Sequence, residues 1–198
     1  MRLILATFLA IGFAAPAGAQ QIVSEYTDLD AREHCSTFSA AEEDEGDWGN
    51  MVCSGYSGYP VVIYYGDLRQ SIFYGFPPDG DLAPAWESFG GFNYAGPKIE
   101  WRIERNGEIE TPFATIHRWF VSGPDGEAKT EVLVVEKVGQ IHGREGCAVG
   151  YVVATGNPNA NETARRIADG QARGFSCCDE PVIDVGSVPL PEVVRWEN

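Results

Sequence analysis

The sequence predicts an α+β fold, mainly an antiparallel β-sheet of about six to seven strands with one C-terminal helix packed on it. Two observations lead there. Between residues 53 and 155, runs rich in Val, Ile, Tyr and Phe recur with short turn signals between them. Such short connections suit antiparallel neighbours, because a parallel pair needs a long crossover. Beyond them a single stretch, 157 to 175, carries apolar residues at helical spacing.

The elements follow in order. YPVVIYYG (59 to 66) and LRQSIFYG (68 to 75) flank Gly66-Asp67 and read as a hairpin. KIEWRIER (98 to 105) sets Ile99, Trp101 and Ile103 against Glu100, Arg102 and Glu104, the period of a half-buried strand. Asn106-Gly107 is a strong hairpin turn, and PFATIHRWFVS (112 to 122) returns as its partner. Gly123-Pro124-Asp125-Gly126 turns the chain again, and TEVLVVEKV (130 to 138) and CAVGYVVAT (147 to 155) complete the set. In the helix, Asn157 is the expected N-cap and Pro158 the first helical residue. Ala160, Ala164, Ile167, Ala168, Ala172 and Phe175 form one stripe, and Gly174 sits where a left-handed cap belongs. AEEDEGDWGN (41 to 50) reads as a solvated acidic loop. The segment 76 to 97, rich in Gly and Pro, has no assigned element.

The N-terminus predicts the compartment. Arg2, the apolar run Leu3 to Phe13 and Ala17-Gly18-Ala19 form a secretory signal pattern over residues 1 to 19. The expected organisation is that leader, one disulfide-bonded β-rich domain over 20 to 178, and an extended or loosely ordered tail over 179 to 198. Export places the chain in the periplasm or outside the cell, with no membrane insertion expected. The formal net charge is −15. Cleavage would remove Arg2 and no acid, making it one unit more negative. That charge argues against nucleic acid and anionic membranes as partners, and it would attract a basic protein.

Five cysteines allow two bonds and one spare thiol. Cys35 and Cys53 flank the acidic loop. Cys147 opens the last strand, and Cys177 follows a helix that runs back beside it. The spacing favours Cys35–Cys53 and Cys147–Cys177, with crossed pairings as alternatives. Cys178 is then the spare, with Cys177 as its alternative, because adjacent cysteines bond each other only with strain. A spare thiol could also join two chains.

The segments 53 to 75, 96 to 103, 112 to 120 and 147 to 169 resemble a family of exported bacterial proteins of unknown function. GYxGYP…GDLR and NPNAN…AR are the specific parts. The resemblance implies a periplasmic protein, and its cysteine pattern matches Cys35, Cys53, Cys147 and Cys177. Cys178 departs from that pattern. The stretch MVCSGYSGYPVVIYYGD (51 to 67) is also similar to one strand of the C-type lysozyme-inhibitor family.

No sequence constellation marks an enzyme. There is no G-x-S-x-G elbow, no C-x-x-C, no H-E-x-x-H and no phosphate loop. No cofactor or metal is implied. His117 falls mid-strand, on the expected face of Phe113 and Trp119, and reads as a satisfied core imidazole. Glu87, Glu100, Glu104 and Asp67 are available as carboxylates, but nothing selects a pair. Trp86, Phe89, Phe92 and Tyr94 lie in the long 76 to 97 segment and are the candidate binding residues, suited to a protein or an envelope glycan. The expectation is an exported, non-catalytic binding or envelope-associated module. An inhibitor of a basic cell-wall hydrolase and a hydrolase or thiol enzyme are the alternatives.

Overall fold

The structure, a computed structural model, describes residues 21–78, 82–126 and 129–197. The expected leader over 1 to 19 and the Asp79-Gly80-Asp81 triplet lie outside the described residues.

The described chain is mostly antiparallel sheet, with one α-helix near its C-terminus. A six-stranded sheet has the order β1-β7-β8-β9-β10-β11. Its strands are β1 (Gln21–Asp28), β7 (Asn93–Asn106), β8 (Ile109–Ser122), β9 (Lys129–Lys137), β10 (Ala148–Val153) and β11 (Val182–Asp184). A four-stranded meander runs β2 (Cys35–Ala40), β3 (Trp48–Ser54), β4 (Pro60–Gly66) and β5 (Arg69–Tyr74). β6 (Ala85–Phe89) and β12 (Val193–Glu197) form a two-stranded ribbon.

The expected hairpins form where the sequence places them, and the described residues hold twelve strands rather than six or seven. The short additions β2, β6, β11 and β12 carry little apolar alternation, so periodicity does not reveal them. One pairing departs from the antiparallel expectation. α1 (Ala160–Gln171) connects β10 to β11, which pair in parallel from Gly150↔Val182 to Val152↔Asp184. After Cys178, Val182–Asp184 pairs with β10 and Val193–Glu197 pairs with β6.

Alternation sets the layers. Val61 and Ile63 of β4 and Ile72 and Tyr74 of β5 meet Ile99, Trp101 and Ile103 of β7 and Trp119 of β8 in one core. The two large sheets therefore pack face to face. The opposite face of the six-stranded sheet carries Ile116, Leu133, Val135 and Val149, and α1 covers it with Ala164, Ile167 and Ala168. The helical stripe is the covering surface the sequence implies. The helix itself starts later than its Asn-Pro signal, because Asn157 accepts the Asn159 amide (3.1 Å) and forms a turn ahead of it. It ends in a 3-10 turn, Ala172–Gly174, without the expected left-handed glycine.

The disulfides are Cys35–Cys53 and Cys147–Cys177, and Cys178 is an exposed free thiol. Cys35 and Cys53 face each other across the β2–β3 register, so the bond clamps an edge strand. Cys147–Cys177 ties the entry of β10 to the segment leaving the helix.

Candidate functional site

The four-stranded sheet has apolar residues on both faces, but only one face is fully covered. Val61 and Ile63 point into the core, whereas Val62, Tyr64 and Phe73 point outward. Ala83 and Trp86 cover the β4–β5 half of that outer face. The β2–β4 half stays open to solvent. There a hollow of about 440 Å3 is lined by Phe38, Val52, Pro60, Val62, Phe76 and Pro77. Phe38, Trp48 and Val52 are all exposed apolar side chains on the same two strands. Burying a Phe or Val fully is worth roughly 1.5–3 kcal/mol, so leaving several of them open at one place forgoes stability in the chain alone.

Local chemistry fixes the walls. Gly75 has φ +92, a conformation that needs glycine, and the Phe76 amide then donates to Gly139 O at 2.9 Å. This joins the end of the meander to the six-stranded sheet and presents Phe76 at the hollow. Arg144 stands at the rim, donating to the carbonyls of Pro77 (3.1 Å) and Ile141 (3.4 Å). Past Val52 and Pro60 the hollow continues into a polar one of about 430 Å3, lined by His34, Ser36, Ser54 and Tyr59. β2 is the outermost strand beside both hollows, and its outward backbone groups have no strand partner among the described residues.

An acidic tip closes one end. The β2–β3 loop carries Glu42, Glu43, Asp44, Glu45 and Asp47. Asp47 accepts the Tyr65 hydroxyl at 2.6 Å, and this hydrogen bond raises the Tyr65 pKa. The other acids of the loop are solvated.

The four candidate aromatics do not share one surface. Phe89 is 2% exposed and packs against Trp119 and Tyr151 in the main core. Trp86 is half-buried and stacks on Trp196 at 5.8 Å. Phe92 and Tyr94 are 48% and 44% exposed. Arg69 lies 6.0 Å from the Phe92 ring centre, while Tyr94 is held between Phe120 and Lys129. The 76 to 97 segment is not one loop. β6 and the start of β7 run through it and take its aromatics to different layers.

The candidate chemical groups are also separated. His117 is fully buried. Its Nε2 meets the Gly96 carbonyl at 2.7 Å, an acceptor only, so Nε2 carries the proton and Nδ1 accepts from the Tyr74 hydroxyl at 2.6 Å. Burial lowers its pKa to about 4, so it is neutral and fully bonded. Trp119 shares its face, but a register shift between Arg102 and Ile103 places Phe113 on the helix side instead. Glu100 serves structure, binding Arg165 and Ser24 under the helix. Sequence reading missed Glu136, which lies in the core near Glu87. Its signal is an acid in register with Val132 and Val134, the inward positions of β9.

Among the described residues no group of three or more His, Cys, Asp or Glu side chains could hold a metal ion. No described helix is long and apolar enough to cross a membrane. No protein family, curated protein or solved structure matches the chain.

Proposed function

We propose that the protein is an exported, non-catalytic binding module that holds an extended, basic segment of an envelope protein against the open face of its four-stranded sheet. One observation carries the reading: the uncovered half of an apolar sheet face lies beside a free edge strand and an acidic hairpin tip. An extended peptide can pair with the β2 edge and place alternate side chains into the two hollows. The acids of the tip and the net charge of −15 favour Lys and Arg in that segment. The N-terminal signal pattern and the two disulfides support export.

A defined peptide pair tests this. An eight-residue peptide alternating Lys with Leu should bind the chain without its first 19 residues, and the charge-reversed peptide alternating Glu with Leu should not. Phe38→Asp and Val52→Asp should each weaken the Lys peptide at least tenfold. Equal binding of both peptides, or of neither, overturns the reading. The sharper form, inhibition of a basic cell-wall hydrolase, has its own support. The stretch similar to the C-type lysozyme-inhibitor family forms β3 and β4, which line the groove. Excess protein should slow a C-type lysozyme at low salt, and unchanged activity would remove that form alone.

A further inference from the structure

A second site lies between β6, β10 and β12, away from the residues of the open face. The Glu136 side chain is 6% exposed and has no hydrogen bond or ion pair among the described residues. It lines a small chamber of about 10 Å3, room for one water-sized group. Glu87 and Tyr151 line it too, and the Tyr151 hydroxyl likewise has no hydrogen-bond partner. Trp119 presents a buried, unpartnered Nε1–H among the same wall residues. Unmet polar groups in a core are costly, so three of them around one space, beside the Glu87 carboxyl, point to an occupant.

The chamber shares Glu87, Ala148 and Tyr151 with a cleft of about 270 Å3 that opens to solvent. Ile183 and Val193 give the cleft apolar walls, and Asp179 and Glu180 stand on its rim. Arg195 sits at its mouth, 3.5 Å from Glu87. Glu87 also accepts the Ala148 amide at 3.1 Å.

We infer that this cleft and chamber form a binding site for a primary alkylammonium group, its nitrogen in the chamber and its alkyl stem along Ile183 and Val193. An ammonium offers three donors to the three side-chain acceptors Glu136, Glu87 and Tyr151. The chamber walls carry no cation that would hold an anion, and a guanidinium is too large for a space of one heavy atom. Trp119 Nε1 is left to donate to Glu136.

Protonation follows from the same geometry. Burial, and then the charge of Glu87, raise the Glu136 pKa well above its ordinary value, so the unliganded group is the neutral acid. Burial also raises that of Glu87. Of the other titratable groups, Tyr151 lines the chamber, Arg195 stands beside Glu87 at the cleft mouth, and Tyr74, bonded to His117, is close enough to feel the Glu136 charge. Both tyrosines are raised by burial, and His117 is neutral. Ammonium entry therefore ionises Glu136: R–NH3+ and Glu136–COOH give the ion pair, and the carboxyl proton passes to solvent. Affinity should rise about tenfold per pH unit below the Glu136 pKa.

Calorimetric titration of the chain without its first 19 residues with n-butylammonium chloride, in two buffers of different ionisation heat, reads both affinity and proton release. Expected are one saturable site, close to one proton released, and no binding of n-butanol or n-butyrate. Glu136→Gln, which keeps the shape, should bind at least tenfold more weakly and release no proton. Ile183→Trp, which narrows the cleft from its exposed wall, should also weaken binding. Absence of saturable binding, equal binding of butanol or butyrate, or unchanged affinity in Glu136→Gln overturns the proposal.

Discussion

At position 68 a leucine occupies the left-handed backbone region, φ +57, next to Asp67 at φ +50. These two residues form the β4–β5 turn, in which both positions need positive φ. A left-handed non-glycine residue costs roughly 1–2 kcal/mol, and Leu68 is largely exposed, so it recovers little by burial. Leu68→Gly should stabilise the fold by about 1 kcal/mol, read as a higher urea midpoint at unchanged slope. The residue scale is also where sequence reading is weakest. His117 was legible as a satisfied core imidazole, because a lone histidine in an apolar strand must be bonded. Glu136 was not, because nothing local in VLVVEKV shows that Glu87, 49 positions earlier, folds beside it. Its raised pKa has a signed consequence. The folded state holds the Glu136 proton and the unfolded state releases it above the ordinary value of 4.5, so this group's contribution to stability falls as pH rises from there. Glu136→Gln should be increasingly more stable than the parent, by about 1.4 kcal/mol per pH unit through that window. Denaturant melts of both chains at pH 5, 6 and 7 check it, and a constant difference would refute it.

Helix α1 is attached by packing and by two partly buried ion pairs. Arg102 of β7 reaches Asp169 with two hydrogen bonds, 2.8 and 2.7 Å, and Arg165 reaches Glu100 at 2.6 and 2.9 Å. Burial alone would raise the Glu100 pKa. The hydrogen bonds from Arg165 and Ser24 and the charges of Arg165 and Arg102 outweigh it, and the pKa falls. Glu100 thus stabilises the fold above its unfolded pKa and loses that contribution as pH drops through the lower folded value. Arg102→Met leaves Glu100 and Asp169 without a central cation and should cost about 3 kcal/mol. The loss should shrink as pH falls through the lowered Glu100 pKa. A melt at pH 3 and pH 7 separates this from simple loss of packing, which is independent of pH. At this scale the sequence was most readable. The long hairpins were legible because alternation and turn chemistry agree, and the helix because its stripe is continuous. β2, CSTFSA, was hidden because an exposed edge strand has no face to alternate. β6 and β12 were hidden because each pairs with a strand more than a hundred positions away.

The layered arrangement decides which surfaces can work. Helix α1 covers one outer face, the two sheets cover each other, and the β6–β12 ribbon covers Phe89 and Tyr151 at the core margin. Among the described residues the β2–β4 half of the meander's outer face has no covering layer, which is why the groove is there. The same logic makes the C-terminal strand structural. Leu190 and Val193 pack against the main core, Trp196 stacks on Trp86, and Arg195 pairs with Glu87. A loose tail could be removed without effect. Ending the chain after Gly186 instead strips β12 from β6 and exposes Phe89 and the Glu87–Glu136 chamber. Two half-buried aliphatic side chains are worth roughly 1 kcal/mol each, and the unpaired β6 adds an open edge. The truncated chain should lose about 2–4 kcal/mol in a urea melt and become prone to self-association at its new edge. The meander is untouched by the cut, so the Lys–Leu peptide should still bind below the new midpoint, while n-butylammonium binding should disappear. Loss of both activities at temperatures where the truncated chain remains folded would show that the groove and the ribbon are coupled, against the layer-by-layer independence that the packing implies.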